Sequence, residues 1–153
     1  YMPEIQQDPD LVDFCEISPE LSRDFRGLRV WLPIKLFGID AFRSSLDEKL
    51  DLARWATDRL REVPDMEILA EPQLSLTAFR WAPTGYSEDG LNDLNRELLT
   101  CINARQNVYI TGTMLRSRYA LRICVLSFRT HRDRMEQCIV DIRECVEELT
   151  RAE

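Results

Sequence analysis

Glycine and histidine are scarce in this sequence, and no two cysteines stand in a CxxC spacing. The five glycines, Gly27, Gly38, Gly85, Gly90 and Gly112, are scattered, which excludes a glycine-rich phosphate loop. His131 is the single histidine. With Cys15, Cys101, Cys124, Cys138 and Cys145 it makes neither a zinc site nor a Cys/His nucleophile pair, so no metal is expected. Cys124, Cys138 and Cys145 fall at apolar positions of predicted elements and are expected to be small buried thiols. Thiols of that kind suit a reducing compartment, and the expected location is cytoplasmic. No apolar run approaches the roughly 18 to 20 residues of a membrane span, and no signal-peptide pattern stands in the first residues. An excess of positive charge is also missing. The net charge of −7 argues against a sequence-independent nucleic-acid binder, which needs a basic footprint to displace counterions from phosphates. The acids lie mostly on outer helix faces, and no pair has a spacing that demands acid–base work.

What is present is an ordinary globular composition, with 44% hydrophobic and 31% charged residues in 153, enough for one domain. The most informative stretch is Tyr119–Ser127. Alternation puts Tyr119, Leu121, Ile123 and Val125 on one face and Ala120, Arg122, Cys124 and Leu126 on the other. Both faces are apolar apart from Arg122, so a central strand covered on each side is expected. A guanidinium in such a place costs several kcal/mol, on the order of one ion's desolvation, unless it meets an anion or water. That anion is either a glutamate of this chain or a ligand carboxylate or phosphate.

Residues 1–10 carry two prolines and no period, as a loop or mobile arm does. A chain that begins at Tyr1 without an initiator methionine is expected to be part of something longer. Ser18-Pro19-Glu20 is a helix start, with a capping hydroxyl, a proline where no N–H is needed and an acid at the positive end. The helix runs to a C-cap at Gly38 and is apolar nearly all round from Leu28, with a kink expected at Pro33. Such a rod calls for cover from another chain or domain. A second helix spans about Ala41 to Glu62, capped by Asp40. Strands follow at Met66–Ala70 and Leu74–Trp81, a Ser87-capped helix at Glu88–Arg105, strands at Asn107–Thr113 and Tyr119–Ser127, and a last helix from Thr130. His131, in its first turn, suits a solvated surface role. The order ααββαββα predicts an α+β fold, with helices on one face of a four-stranded, mainly antiparallel sheet.

Two stretches and the element order carry a resemblance. Leu21-Ser-Arg-Asp-Phe-Arg-Gly-Leu-Arg-Val-Trp-Leu-Pro-Ile-Lys-Leu-Phe-Gly38 resembles a helix of form R-x-F-R-x-L-K-x-W ending in Y/F-G. Tyr119-Ala-Leu-Arg-Ile-Cys-Val-Leu-Ser-Phe-Arg-Thr130 is similar to an L-R-x-x-x-x-x-x-R-T segment before a last helix. Both belong to the group II pyridoxal-phosphate decarboxylases, which act on aromatic amino acids, histidine, tyrosine and glutamate. The resemblance covers essentially the whole chain and implies the small C-terminal domain of a fold-type I enzyme. It divides the chain into a catalytic-loop remnant and linker at 1–17, a helical bridge to the large domain and dimer partner at 18–62, and a ββαββα domain at 63–153.

The resemblance further implies that pyridoxal 5'-phosphate is bound mainly by an upstream large domain, on a lysine beside a histidine. No His-Lys pair occurs here, so this chain alone is expected to be inactive. The implied partners are that large domain, a second subunit and an amino-acid substrate, with no nucleic acid and no membrane. Tyr1, before Met-Pro-Glu, resembles the mobile-loop tyrosine that returns a proton after carbon dioxide leaves, and so favours plain decarboxylation. Leu21 and Ser22 resemble residues lining the substrate and cofactor-phosphate pocket of the neighbouring subunit. Ser22 stands where aromatic decarboxylases commonly carry glycine. Arg122 matches an arginine that pairs with a substrate carboxylate in the glutamate enzymes. The implied activity is removal of the α-carboxylate of an amino acid, aromatic above all. The competing reading is a stand-alone ββαββα binding or regulatory module, with Leu21–Gly38 as a dimerisation helix.

Overall fold

The computed structural model of the chain describes Pro19 and residues 24–152. Contacts divide the chain into two units between Phe42 and Arg43. In the first, a turn in which the Leu28 amide donates to the Phe25 carbonyl leads into helix α1 (Leu28–Phe37). The helix start expected at Ser18 falls almost wholly outside the described residues. Pro33 sits inside α1, and Gly38 ends it with φ 82° and a backbone N–H that donates to the Ile34 carbonyl. That backbone conformation admits glycine with little strain. No described residue of α1 is buried, and Trp31 and Phe37 are 57% and 74% exposed. The rod is as apolar as expected.

Helix α2 (Ile39–Arg61) follows directly. The second unit continues through β1 (Met66–Ala70), β2 (Leu76–Trp81), α3 (Glu88–Ala104), β3 (Thr111–Leu115), β4 (Arg118–Cys124) and α4 (Arg132–Ala152). The four strands make one antiparallel sheet in the order β1-β2-β4-β3. β3 and β4 are joined by Arg116 and Ser117, both at positive φ, as a two-residue hairpin of right-handed twist requires.

The register puts Ile68 beside Phe79, Phe79 beside Leu121 and Thr77 beside Ile123. That face packs on Leu52, Ala56 and Leu60 of α2, Leu94, Leu98 and Ile102 of α3, and Met135, Ile139 and Ile142 of α4. A single hydroxyl pair crosses this layer, Thr57 to Thr77 at 2.7 Å. On the same face Tyr119 lies over Gly112, where a Cβ would come within 2.0 Å of the phenol oxygen, and Arg96 of α3 stacks on that ring at 4.7 Å. Tyr119 is thus used inside the fold.

α3 also holds strand ends by bidentate asparagines. Asn95 accepts from the Trp81 amide at 2.8 Å and donates to the Trp81 carbonyl at 2.7 Å, and Asn92 does the same for the Tyr119 amide and Ser117 carbonyl. Asn103 takes both backbone groups of Ile110. This last pair explains why β3 begins at Thr111 and not at Asn107, since the chain before it is bonded to a helix side chain. β4 likewise ends at Cys124 and not at Ser127, and the Val125 amide turns to the Ser75 carbonyl.

Two expectations are corrected. β4 is central, but α2, α3 and α4 cover its Tyr119–Leu121–Ile123 face; on the other, Ala120 is buried and Arg122 half-buried, whereas Cys124 is exposed, as is Leu126 beyond the strand end. Cys145 is buried, yet it is not a thiol. It is joined to Cys101, so α3 and α4 are bridged covalently across a separation of 44 residues. The sequence separation hides this pair, because helix packing alone brings it together. Loop closure of that length is worth about 4 kcal/mol in the chain-entropy picture. Cys138 is a buried free thiol, pushed up to about 12 by burial and then by Asp141. Replacing Asn95 by alanine leaves the Trp81 amide and carbonyl buried without partners. It is expected to lower unfolding stability by about 2–4 kcal/mol, measured as the shift of the urea midpoint.

Candidate functional site on the open face of the sheet

The face turned away from α2, α3 and α4 carries Glu67, Ala78, Arg80, Thr111, Arg118, Ala120, Arg122 and Cys124, since strand residues alternate. Two of its arginines are partly or wholly removed from water, and they are compensated differently.

Arg80 is only 4% exposed. Its Nε donates to Glu67 Oε2 at 2.7 Å, and its Nη1 and Nη2 donate to the two Glu88 oxygens at 2.9 and 3.3 Å. Arg118 reaches the same two acids, at 3.2 Å to Glu67 and 3.8 Å to Glu88. Glu67 comes from β1, Arg80 from β2, Arg118 from β4, and Glu88 from the first turn of α3, where the helix dipole favours a carboxylate. The hydrogen bonds that Arg80 donates hold the Glu88 carboxyl below the usual carboxylate range, and their acceptance by Glu88 and Glu67 raises Arg80 above its ordinary value.

Arg122 sits between small neighbours. Its Cα partners are Thr111 on β3 and Ala78 on β2, with Ala120 and Cys124 two residues away along its own strand. It is half-buried, and its Nε and Nη2 donate to the Thr111 hydroxyl at 3.3 and 3.0 Å. Among the described residues no carboxylate pairs with it. A guanidinium has five N–H donors, and a neutral hydroxyl leaves its charge uncompensated. Of the two anions considered for Arg122, a glutamate of this chain is not the one observed among the described residues. That role falls to Arg80.

Tyr1, Leu21 and Ser22 lie outside the described residues. Arg80, Glu67, Glu88 and Thr111 were not anticipated as site residues. Alternation along Leu74–Trp81 could have set Arg80 on the face opposite Phe79, but its acids become visible only through the β1–β2 register and the turn before α3. His131 has the surface role expected of it. Its Nδ1 lies 2.7 Å from Glu48, whose carboxyl is lowered by His131 and then by Lys49.

A pyridoxal cofactor needs a lysine amine to carry its aldehyde. The sequence has two lysines. Lys49 is buried, and its Nζ donates to the Thr130 carbonyl and to Glu48, each at 2.6 Å; Lys35 belongs to exposed α1 in the other unit. The described residues of the second unit therefore do not by themselves fit the cofactor.

The fold of helices on one face of a β1-β2-β4-β3 sheet is shared with pyridoxal-phosphate decarboxylases. Catharanthus roseus tryptophan decarboxylase, solved in complex with L-tryptophan, superposes with a TM-score of 0.79 at 26% identity, over 94% of this chain and 30% of that one. Oryza sativa TDC, solved with PLP and tryptamine, gives 0.83 over 97% of this chain and 32% of that one, at 19% identity. In sequence, the pyridoxal-dependent decarboxylase conserved domain matches residues 6–82. The aromatic-L-amino-acid decarboxylase of Bacillus atrophaeus is 33% identical over 97% of this chain. The chain belongs to the pyridoxal-dependent decarboxylase family. It spans 32% of the length of that Bacillus relative.

Glu88 contributes stability above the ordinary carboxylate pKa, and that contribution is lost as pH falls through its lowered value. Wild-type protein is expected to lose stability from about pH 5 downwards. Glu88→Gln is expected to be less stable than wild type at pH 7 and to change less over the acid window, measured by urea midpoints against pH.

Proposed function

We propose that this chain is the C-terminal part of a pyridoxal-phosphate-dependent amino-acid decarboxylase, most like the enzymes that act on aromatic L-amino acids. The observation that carries the reading is the 33% identity to an aromatic-L-amino-acid decarboxylase along nearly the whole chain. The cofactor, when bound, supplies an electron sink for loss of the α-carboxylate as carbon dioxide. It is held mainly by a large domain upstream, with the lysine this chain does not offer, so the chain alone is inactive.

In this reading the open sheet face forms one wall of the site, and Arg122 presents its uncompensated guanidinium to the carboxylate of the amino-acid substrate. Thr111 fixes the fork from one side and leaves Nη1 for the ligand. Arg80 is not available for the task, because Glu67 and Glu88 already occupy it. Tyr1 returns a proton to the α-carbon once carbon dioxide has left. Leu21 and Ser22 line the pocket of the neighbouring subunit of a homodimer, where the Ser22 hydroxyl reaches the cofactor phosphate. The apolar flank of α1, including Trp31 and Phe37, supports an assembly larger than this chain, in which that flank is covered. A cytoplasmic setting is part of the proposal, and it requires the Cys101–Cys145 bond to be one that cellular dithiols can open.

The complete polypeptide, supplied with pyridoxal phosphate, is expected to release carbon dioxide from L-tryptophan, L-tyrosine or another amino acid, and the 153-residue chain is expected to release none. Arg122→Gln in the complete polypeptide should lower kcat/KM by about 10- to 100-fold, the loss of one charge-assisted contact. Failure of the complete polypeptide to decarboxylate any amino acid contradicts the reading.

A further inference from the structure

The Cys101–Cys145 bond has features of a built site. Cys101 lies on α3 and is partly exposed, whereas Cys145 on α4 is fully buried. Arg105, one turn beyond Cys101, points its Nε at Cys145 Sγ at 3.2 Å. Its two terminal nitrogens are held by Glu144 and by Glu148, the latter at 2.5 Å. The Cys101 side of the bond is thus the more accessible, with Glu148 Oε2 3.5 Å from its sulfur, and the other sulfur faces a guanidinium whose orientation is fixed by two acids. The same three groups, Cys101, Cys145 and Glu148, come within reach of a single ion, but Arg105 among them opposes a cation and favours a thiolate.

We propose that Cys101–Cys145 is a reducible disulfide, opened by a dithiol reductant of the CxxC kind, with Cys101 as the attacked sulfur and Arg105 as the group that receives the leaving charge. A thiolate of the reductant attacks Cys101 Sγ and forms a mixed disulfide. The Cys101–Cys145 bond breaks, and its electron pair stays on Cys145 Sγ as a thiolate beside Arg105. The second thiol of the reductant then attacks the mixed disulfide, closes the reductant's own disulfide and releases Cys101. Two electrons pass from the dithiol, and its two protons end on Cys101 and Cys145. The rate depends on access to the attacked sulfur and on how readily the other leaves as a thiolate, and the fold sets both. The bond closes the segment that contains β3 and β4, so its reduction removes the covalent tie between α3 and α4 on the covered side of the sheet.

The test uses the complete polypeptide, oxidised with diamide. It is exposed briefly to glutathione, acid-quenched and alkylated with N-ethylmaleimide, and its peptides are mapped by mass. Glutathione on Cys101 and maleimide on Cys145 is the expected result. The reverse placement overturns the proposal, as does a protein in which both cysteines alkylate without reductant. Reduction by dithiothreitol should be roughly tenfold slower in Arg105→Gln and partly restored in Arg105→Lys; equal rates in all three overturn the role of Arg105. These readouts do not depend on decarboxylation, so they stand apart from the activity proposed above.

Discussion

A guanidinium taken out of water must be given back a negative charge or enough oxygen atoms to replace its hydration. On the open face of this sheet that requirement is met twice, in unlike ways. Glu67 and Glu88 surround Arg80 with oxygens on both sides of its fork, and Arg118 shares them. Arg122, diagonally across on the next strand, has the hydroxyl of Thr111 and small neighbours. One arginine is therefore a structural tie that joins β1, β2 and the start of α3. The other is a charge kept half-buried without a carboxylate partner among the described residues. In the proposed reading its counter-ion is the substrate carboxylate.

The rigidity behind that face comes from the helix side. α3 lies against the sheet through Leu94, Leu98 and Ile102, but its asparagines set the strand ends. Asn95, Asn92 and Asn103 each take a backbone donor and a backbone acceptor from the segment they face. Each pair replaces a missing neighbouring strand at the end of a ladder, where a buried amide would otherwise be orphaned. β4 is thereby held at Tyr119 by Asn92 and along its length by β2 and β3, and Arg122 cannot shift register without breaking these bonds.

Hydrophobic periodicity made the helices α2, α3 and α4, the strands β1, β2 and β4 and the single helical layer legible in advance, because burial writes itself into spacing. Arg122 could be singled out because a cation interrupts an otherwise apolar strand. Its surroundings could not be anticipated, since alternation assigns faces but not what covers them. A covered back was expected from Ala120, Cys124 and Leu126, yet small or mixed side chains are equally compatible with an open one. The asparagines of α3 were invisible as strand anchors because Asn on a helix has several polar uses, and the pairing of Cys101 with Cys145 depends on helices that meet only in the tertiary fold. The motif resemblance reached further than periodicity in one respect. It pointed to the pyridoxal-dependent decarboxylases from Leu21–Gly38 and Tyr119–Thr130, although the side chains at Leu21 and Ser22 lie outside the described residues.

The counter-ion of Arg122 is the point on which the functional reading turns. A crystal structure of the complete polypeptide with pyridoxal phosphate and a non-reacting amino-acid analogue tests it most directly. A carboxylate oxygen of the analogue about 3 Å from an Arg122 nitrogen is the predicted result. An Arg122 paired instead with an aspartate or glutamate of its own polypeptide, away from the bound analogue, contradicts it.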